Sequence, residues 1–267
     1  MQASLPMYDL PELRAATDDW WATLVRGLTK AGLSEVPAKL TRNSDRELVW
    51  RAPDLLLTQT CGYPLTHDFN GILTALAAPD YRAAGCGGGR YRSAFVVRAE
   101  DPAQSLENLK GRRVAANSAD SQSGCNCLRA AVAPLAEAGR FFSEVIWTGG
   151  HRQSLAAVAE GRADIAALDG VTFALIGQVA PSEVTPVRVL DWSAEAPALP
   201  YVTRASADET LRRRLRDGLA HAIADPGGAA ARAELRIENL IPITDTDYQP
   251  IVAMREAAER DGYHILA

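Results

Sequence analysis

Leu13, Ala16, Trp20, Leu24 and Leu28 recur at near four-residue spacing behind Pro11-Glu12, a pair suited to a first helical turn, and predict an amphipathic helix over 11–31. A short strand is expected before it, ending near Tyr8. The segment 54–60, with Leu55-Leu56-Leu57 at its centre, reads as a buried strand that passes into a polar loop, and 72–78 is a second apolar segment. The glycine cluster Gly85-Cys86-Gly87-Gly88-Gly89 breaks the chain before the alternating strand 91–98. From there strands and helices alternate: strand 113–116, helix 123–137, strand 144–147, helix 151–160, strand 164–168, helix 171–178 and strand 186–191. An Ala/Pro-rich loop at 193–200, a short strand at 201–203 and a helix at 207–224 follow, the helix carrying Leu211, Leu215, Leu219 and Ile223 four apart. Such alternation predicts an α/β fold in which each lobe is a mixed, mostly parallel sheet flanked by helices.

The layout predicts one sheet domain inserted into another. Residues 1–92 and 196–267 form the first lobe and 93–195 the second, with hinges near 90–95 and 192–200. In doubly wound sheets ligands bind beyond the carboxyl ends of strands, where three loops are expected: 58–64, 117–124 and 148–151. The second is the most informative. Small hydroxyl residues and a glycine ahead of a helix, Ser121-Gln122-Ser123-Gly124, leave backbone N–H groups aimed at one spot under the positive end of the helix dipole. Either this is an anion cradle or Ser121 or Ser123 simply caps the helix. His151, at the start of a helix, is a candidate donor to a bound oxyanion or an ordinary polar residue. Asp169 is a candidate contact or the cap of the next helix. Thr60, Tyr63 and Tyr8 could line the walls, the tyrosines equally well by packing. Asp120 could accept from a protonated ligand oxygen or a ligand ammonium.

Composition narrows the classes. A net charge of −5 without a basic cluster argues against nucleic acid, and Arg212-Arg213-Arg214 reads as a solvated helix face. No run of apolar residues is long enough to span a membrane, and Met1-Gln2-Ala3-Ser4-Leu5-Pro6 is unlike a signal peptide. Cys61 and Cys86 sit in Gly-flanked loops and could pair as a disulfide, whereas Cys125 and Cys127 are too close for an easy bridge. No metal-ligand spacing, cofactor motif or nucleophile elbow is present, so no metal, cofactor or catalytic set is expected.

Four stretches carry a resemblance: Asp54-Leu-Leu-Leu-Thr-Gln-Thr-Cys-Gly-Tyr-Pro-Leu65, Leu106-Glu-Asn-Leu-Lys-Gly-Arg-Arg-Val114, Ser121-Gln-Ser-Gly124 and Gly150-His-Arg-Gln-Ser-Leu-Ala-Ala-Val-Ala-Glu-Gly-Arg-Ala-Asp164. Together they resemble the phosphate/phosphonate class of ABC-transporter solute-binding proteins over nearly the whole chain. The resemblance implies a two-lobed type II periplasmic-binding-protein architecture that closes on its ligand by a hinge, oxyanion recognition at 121–124, and His151 and Tyr63 as contacts, with Asp169 the nearest candidate for a ligand amine. It further implies capture of phosphate, phosphite or a phosphonate in an interlobe cleft, a periplasmic location, an ABC permease as possible partner, and action as a monomer without chemistry. An enzyme or a cytoplasmic sensor on the same fold is the alternative. Cys125 and Cys127 beside the anion loop depart from the pattern and raise the question of redox sensitivity.

Overall fold

The computed structural model describes residues 1–42 and 45–267. It divides into two compact units, 1–82 with 197–248 and 83–196 with 249–267. The chain therefore passes between units three times, and 249–267 belongs to the second unit, where the sequence pattern placed it in the first lobe. The helix Gln249–Arg260 accounts for this correction: its buried Ile251 and Ala258 face the second unit's helices, a tertiary choice that an amphipathic pattern leaves open.

In the first unit the five-stranded sheet runs in the order Gln2–Ser4, Leu55–Gln59, Tyr201–Arg204, Leu73–Tyr81, Ile237–Pro242. The first two strands are parallel, and the other ladders are antiparallel. The opening strand stops at Ser4, so Tyr8 lies in the segment beyond it. The predicted first helix is Arg14–Lys30, entered through a 3₁₀ turn at Pro11–Leu13. It packs on Glu209–Ala224 at a crossing where a Cβ on Gly27 would lie 2.3 Å from the Gly218 carbonyl oxygen, so only glycine permits this approach. Trp20 reaches the sheet beneath, its indole N–H donating to the Tyr201 hydroxyl at 2.8 Å.

The second unit's sheet has the order Glu144–Trp147, Arg113–Ala116, Ile165–Asp169, Ser93–Arg98, Val187–Trp192. Its first three strands are parallel and the last two join antiparallel. Both sheets are thus mixed, with more antiparallel pairing than strand–helix alternation suggests, because strands 93–98 and 201–204 enter directly from loops without a crossover helix. The unit's core gathers Phe95, Val114, Leu128, Val132, Phe141, Phe142 and Ile165 with Ala258 and Tyr263 from the C-terminal segment. The predicted helix over 123–137 is shorter than expected: a π-type turn at Gln122–Asn126, an α-helix at Cys127–Val132 and a 3₁₀ turn closing at Leu135.

Among the described residues no helix is long and apolar enough to cross a membrane. All four cysteines are thiols, so the Cys61–Cys86 disulfide expected as one possibility is not formed; the two residues belong to different units.

Candidate functional site in the second unit

Three parallel neighbours, Arg113–Ala116, Glu144–Trp147 and Ile165–Asp169, end at one edge of the second unit's sheet and deliver Asn117 to Gly124, Thr148 to His151, and Asp169 to it. The first two loops are stitched together, with Thr148 N donating to Ala116 O at 2.9 Å and Gly149 N to Asn117 O at 3.0 Å. Ser121 then takes extended backbone angles, and its hydroxyl accepts from Gly124 N at 3.0 Å, capping the helix that follows. The first turn is wide: Asn126 N donates to Ser121 O, the π pattern that often marks functional positions.

Ser123, on that turn, lies with its hydroxyl 2.9 Å from His151 Nε2. Gly124 fits beneath Asn117, since a Cβ there would stand 1.9 Å from Asn117 Oδ1 and 3.2 Å from His151 Cε1. Asn117 Oδ1 is buried and accepts no hydrogen bond. Ser121, Ser123, Gly124, His151 and Asn117 therefore form one small, neutral cluster of donors and acceptors at a helix start. Such a cluster can hold an oxyanion through hydroxyl and backbone N–H groups.

Burial of the imidazole pulls His151 down to about 4, with a backbone group of Ala167 opposing. Its Nδ1 is buried although the residue as a whole is only half-buried. His151 is thus neutral at physiological pH. Between pH 6.5 and about 4 the unfolded chain takes up a proton that the folded state refuses, so the stability present above pH 6.5 is lost as the pH falls through this window. Denaturant unfolding across it is expected to show a decline of up to about 3 kcal/mol that His151→Gln flattens.

Gln122, a predicted contact, turns inward. Its Oε1 accepts from Asn126 Nδ2 at 2.7 Å and its Nε2 meets Met254 Sδ at 3.1 Å. Asp169 is buried, and its Oδ1 accepts from Thr172 N at 2.9 Å as the cap of Gly170–Val179. The predicted contacts Tyr8, Thr60 and Tyr63 belong to the first unit. Tyr8 is buried edge-on against Tyr81 at 5.0 Å and lines a cavity of ≈ 20 Å³ with Gln59 and Tyr201. Thr60 is fully buried, its hydroxyl donating to Cys61 O at 3.4 Å, and Tyr63 stacks on His67 at 3.9 Å.

The family model for the periplasmic substrate-binding protein of the phosphonate ABC transporter matches residues 51–248. The chain belongs to this family. It is therefore a solute-binding protein of a transport system whose members are binding proteins, not enzymes, and are normally periplasmic. Solved structures share the fold at low identity. A binding protein component of an ABC phosphonate transporter, PA3383 of Pseudomonas aeruginosa, is 16% identical over 98% of this chain and 87% of its own, with a TM-score of 0.78. PhnD1 of Prochlorococcus marinus, in complex with methylphosphonate, is 15% identical over 97% of both chains, with a TM-score of 0.76. XAC2383 of Xanthomonas citri, bound to ATP, is 18% identical over 98% of both chains, with a TM-score of 0.71.

In this family member the two cysteines beside the loop 117–124 are buried. Burial pushes Cys125 up to about 11 and Cys127 up to about 12, and the Cys127 thiol donates to Ser123 O at 3.1 Å. Thiolate, the reactive form, is suppressed at both. Sequence reasoning included Asn117 only as the start of the loop, and missed Asn126 and Arg129 as parts of this region. Their signal was visible in hindsight: Gln122, Asn126 and Arg129 stand at i, i+4 and i+7, a polar stripe on an otherwise apolar helix. Among the described residues no group of three His, Cys, Asp or Glu side chains could hold a metal ion.

Proposed function

We propose that this protein captures a small phosphorus oxyanion, phosphate, phosphite or a phosphonate, on the loop 117–124 and presents it to an ABC permease in the periplasm, as a monomer and without chemistry. The observation that carries this reading is the contact between Ser123 Oγ and the neutral His151 Nε2 at 2.9 Å, on a turn whose Gly124 packs directly against Asn117. When Nε2–H donates to Ser123, the serine hydroxyl proton is released to donate outward, and backbone N–H groups of the first helical turn add to it. Asn117 Oδ1, an acceptor with no donor, suits a protonated ligand oxygen or a ligand ammonium better than a third bare oxygen, and so favours phosphorus acids over sulfate.

Thermal unfolding with phosphate, phosphite, methylphosphonate, 2-aminoethylphosphonate, sulfate, taurine and ATP tests the reading. A ligand at about 1,000 times its dissociation constant adds roughly 4 kcal/mol, so a shift of several degrees is expected for one small phosphorus acid and none for sulfate or taurine. ATP enters the panel because XAC2383, of like fold, has been seen with it. A shift with ATP alone would move the ligand class to a nucleotide, and a flat panel would reject oxyanion capture.

A further inference from the structure

Arg129 is buried, at 7% exposure, yet no carboxylate forms an ion pair with it among the described residues. Its Nη2 donates to Asn126 Oδ1 at 2.7 Å and its Nη1 to His264 O at 2.7 Å, while Nε is buried without a partner. Burying a guanidinium against neutral oxygens is costly, and such charges are ordinarily paired. The charged and titratable groups around it are few. Glu259, on Gln249–Arg260, feels its charge but is paired with Arg255 at 2.7 Å; Cys125 on its own helix and Tyr263 in the tail are held protonated by burial; His264 offers only its carbonyl.

The position supplies what the pairing lacks. Arg129 lies six residues after Ser123, on the α-helix that continues directly from the π turn carrying that serine. The wiring runs the same way: Arg129 holds Asn126, Asn126 donates to Gln122 Oε1 and to Ile251 O, and Gln122 precedes Ser123 on the first turn. We propose that Arg129 is the resident counter-charge of the anion site, acting through space on a bound oxyanion where no carboxylate among the described residues pairs with it, while its forked hydrogen bonds hold the turn that carries Ser123. This rests on the oxyanion reading above.

The alternative is that Arg129 only ties the C-terminal segment to the helix. Ligand charge separates the two. The phosphate affinity of wild type, Arg129→Met and Arg129→Lys would be measured by calorimetry at about pH 5.5 and about pH 8.5, where the ligand changes from mono- to dianion. His151 stays neutral at both values. A fixed charge acts twice as strongly on a dianion as on a monoanion at the same place, so its loss weakens the dianion by the square of the factor it costs the monoanion. The expected result is therefore a fold-loss at the higher pH that is the square of that at the lower pH for Arg129→Met, and equal losses at both for Arg129→Lys, which keeps the charge and loses the fork. Equal losses for Arg129→Met would overturn the proposal and leave oxyanion capture standing; a wild type that binds none of the panel sinks both. If Arg129→Met does not fold, Asn126→Asp against Asn126→Ala gives the same comparison, since the new carboxylate neutralises the guanidinium in place and alanine controls for the lost amide. A charge-dependent excess loss for Asn126→Asp supports the proposal, and its absence rejects it.

Discussion

Gly124→Ala is expected to remove ligand capture, weakening affinity by a hundredfold or more. The new methyl carbon would stand 1.9 Å from Asn117 Oδ1 and 2.7 Å from Asn117 Cγ, distances that real contacts do not reach, and 3.2 Å from His151 Cε1. Something must move. The Asn117 side chain is the softer neighbour, and displacing it disturbs the loop whose carbonyl accepts from Gly149 and brings the His151 helix alongside. Overpacking of this kind costs roughly 1–3 kcal/mol of stability, so the protein remains folded while its site is distorted. Adding Asn117→Gly to the variant clears the clash. The double variant is expected to recover melting temperature and not affinity, because the acceptor assigned to the ligand is gone. Calorimetry and thermal unfolding of the two variants side by side measure both effects, and a Gly124→Ala protein that binds like wild type would refute the placement of the site.

The paired substitution Ser121→Ala with Ser123→Ala is expected to abolish ligand-induced stabilisation, but the two serines contribute by different routes. Ser121 caps the helix through Gly124 N at 3.0 Å, so Ser121→Ala alone lowers the stability of the ligand-free protein by about 1 kcal/mol and weakens binding through a loosened turn. Ser123 contacts His151 Nε2 and is the hydroxyl assigned to the ligand. Ser123→Ala leaves that part-buried nitrogen without its partner at a cost of about 1 kcal/mol and removes a charge-assisted hydrogen bond of about 1.5–3 kcal/mol from the complex, one to two orders of magnitude in affinity. Melting temperatures with and without ligand separate the two. An unchanged ligand shift in Ser123→Ala would show that this serine serves only the fold.

The two roles explain how much could be read from the chain and how much could not. Local periodicity and turn chemistry are properties of neighbouring residues. The Leu-and-Trp stripe at 13–28, the apolar run at 55–59, the alternation of strands and helices from 113 to 179, and the hydroxyl-and-glycine run at 121–124 all gave elements where the structure has them, because each is decided within one or two turns of chain. The family resemblance rested on the same short stretches. Contacts between distant segments carry no such signature. That Gln122 faces inward to Met254, that Asn126 donates to Ile251, and that Arg129 reaches His264 depend on where 249–267 packs, more than a hundred residues away in sequence. The strand Ile237–Pro242 and the helix Gln249–Arg260 went unread for a related reason: their patterns are short or generic, and only the surface they met selected their place.

By itself, then, the sequence determined the class of fold, the family, and a hydroxyl-and-glycine run ahead of a helix, since backbone N–H groups at a helix start and hydroxyls of the right spacing are local facts. Only the tertiary structure decided which side chains of that loop face outward. Ser123 meets His151 because two parallel strands end side by side, and burial then keeps that imidazole neutral. Tertiary packing likewise made Asp169 a helix cap and buried the Arg129 guanidinium against Asn126 and the His264 carbonyl. Burial and charge depend on everything within several ångströms in space, and the order of residues along the chain does not specify those neighbours.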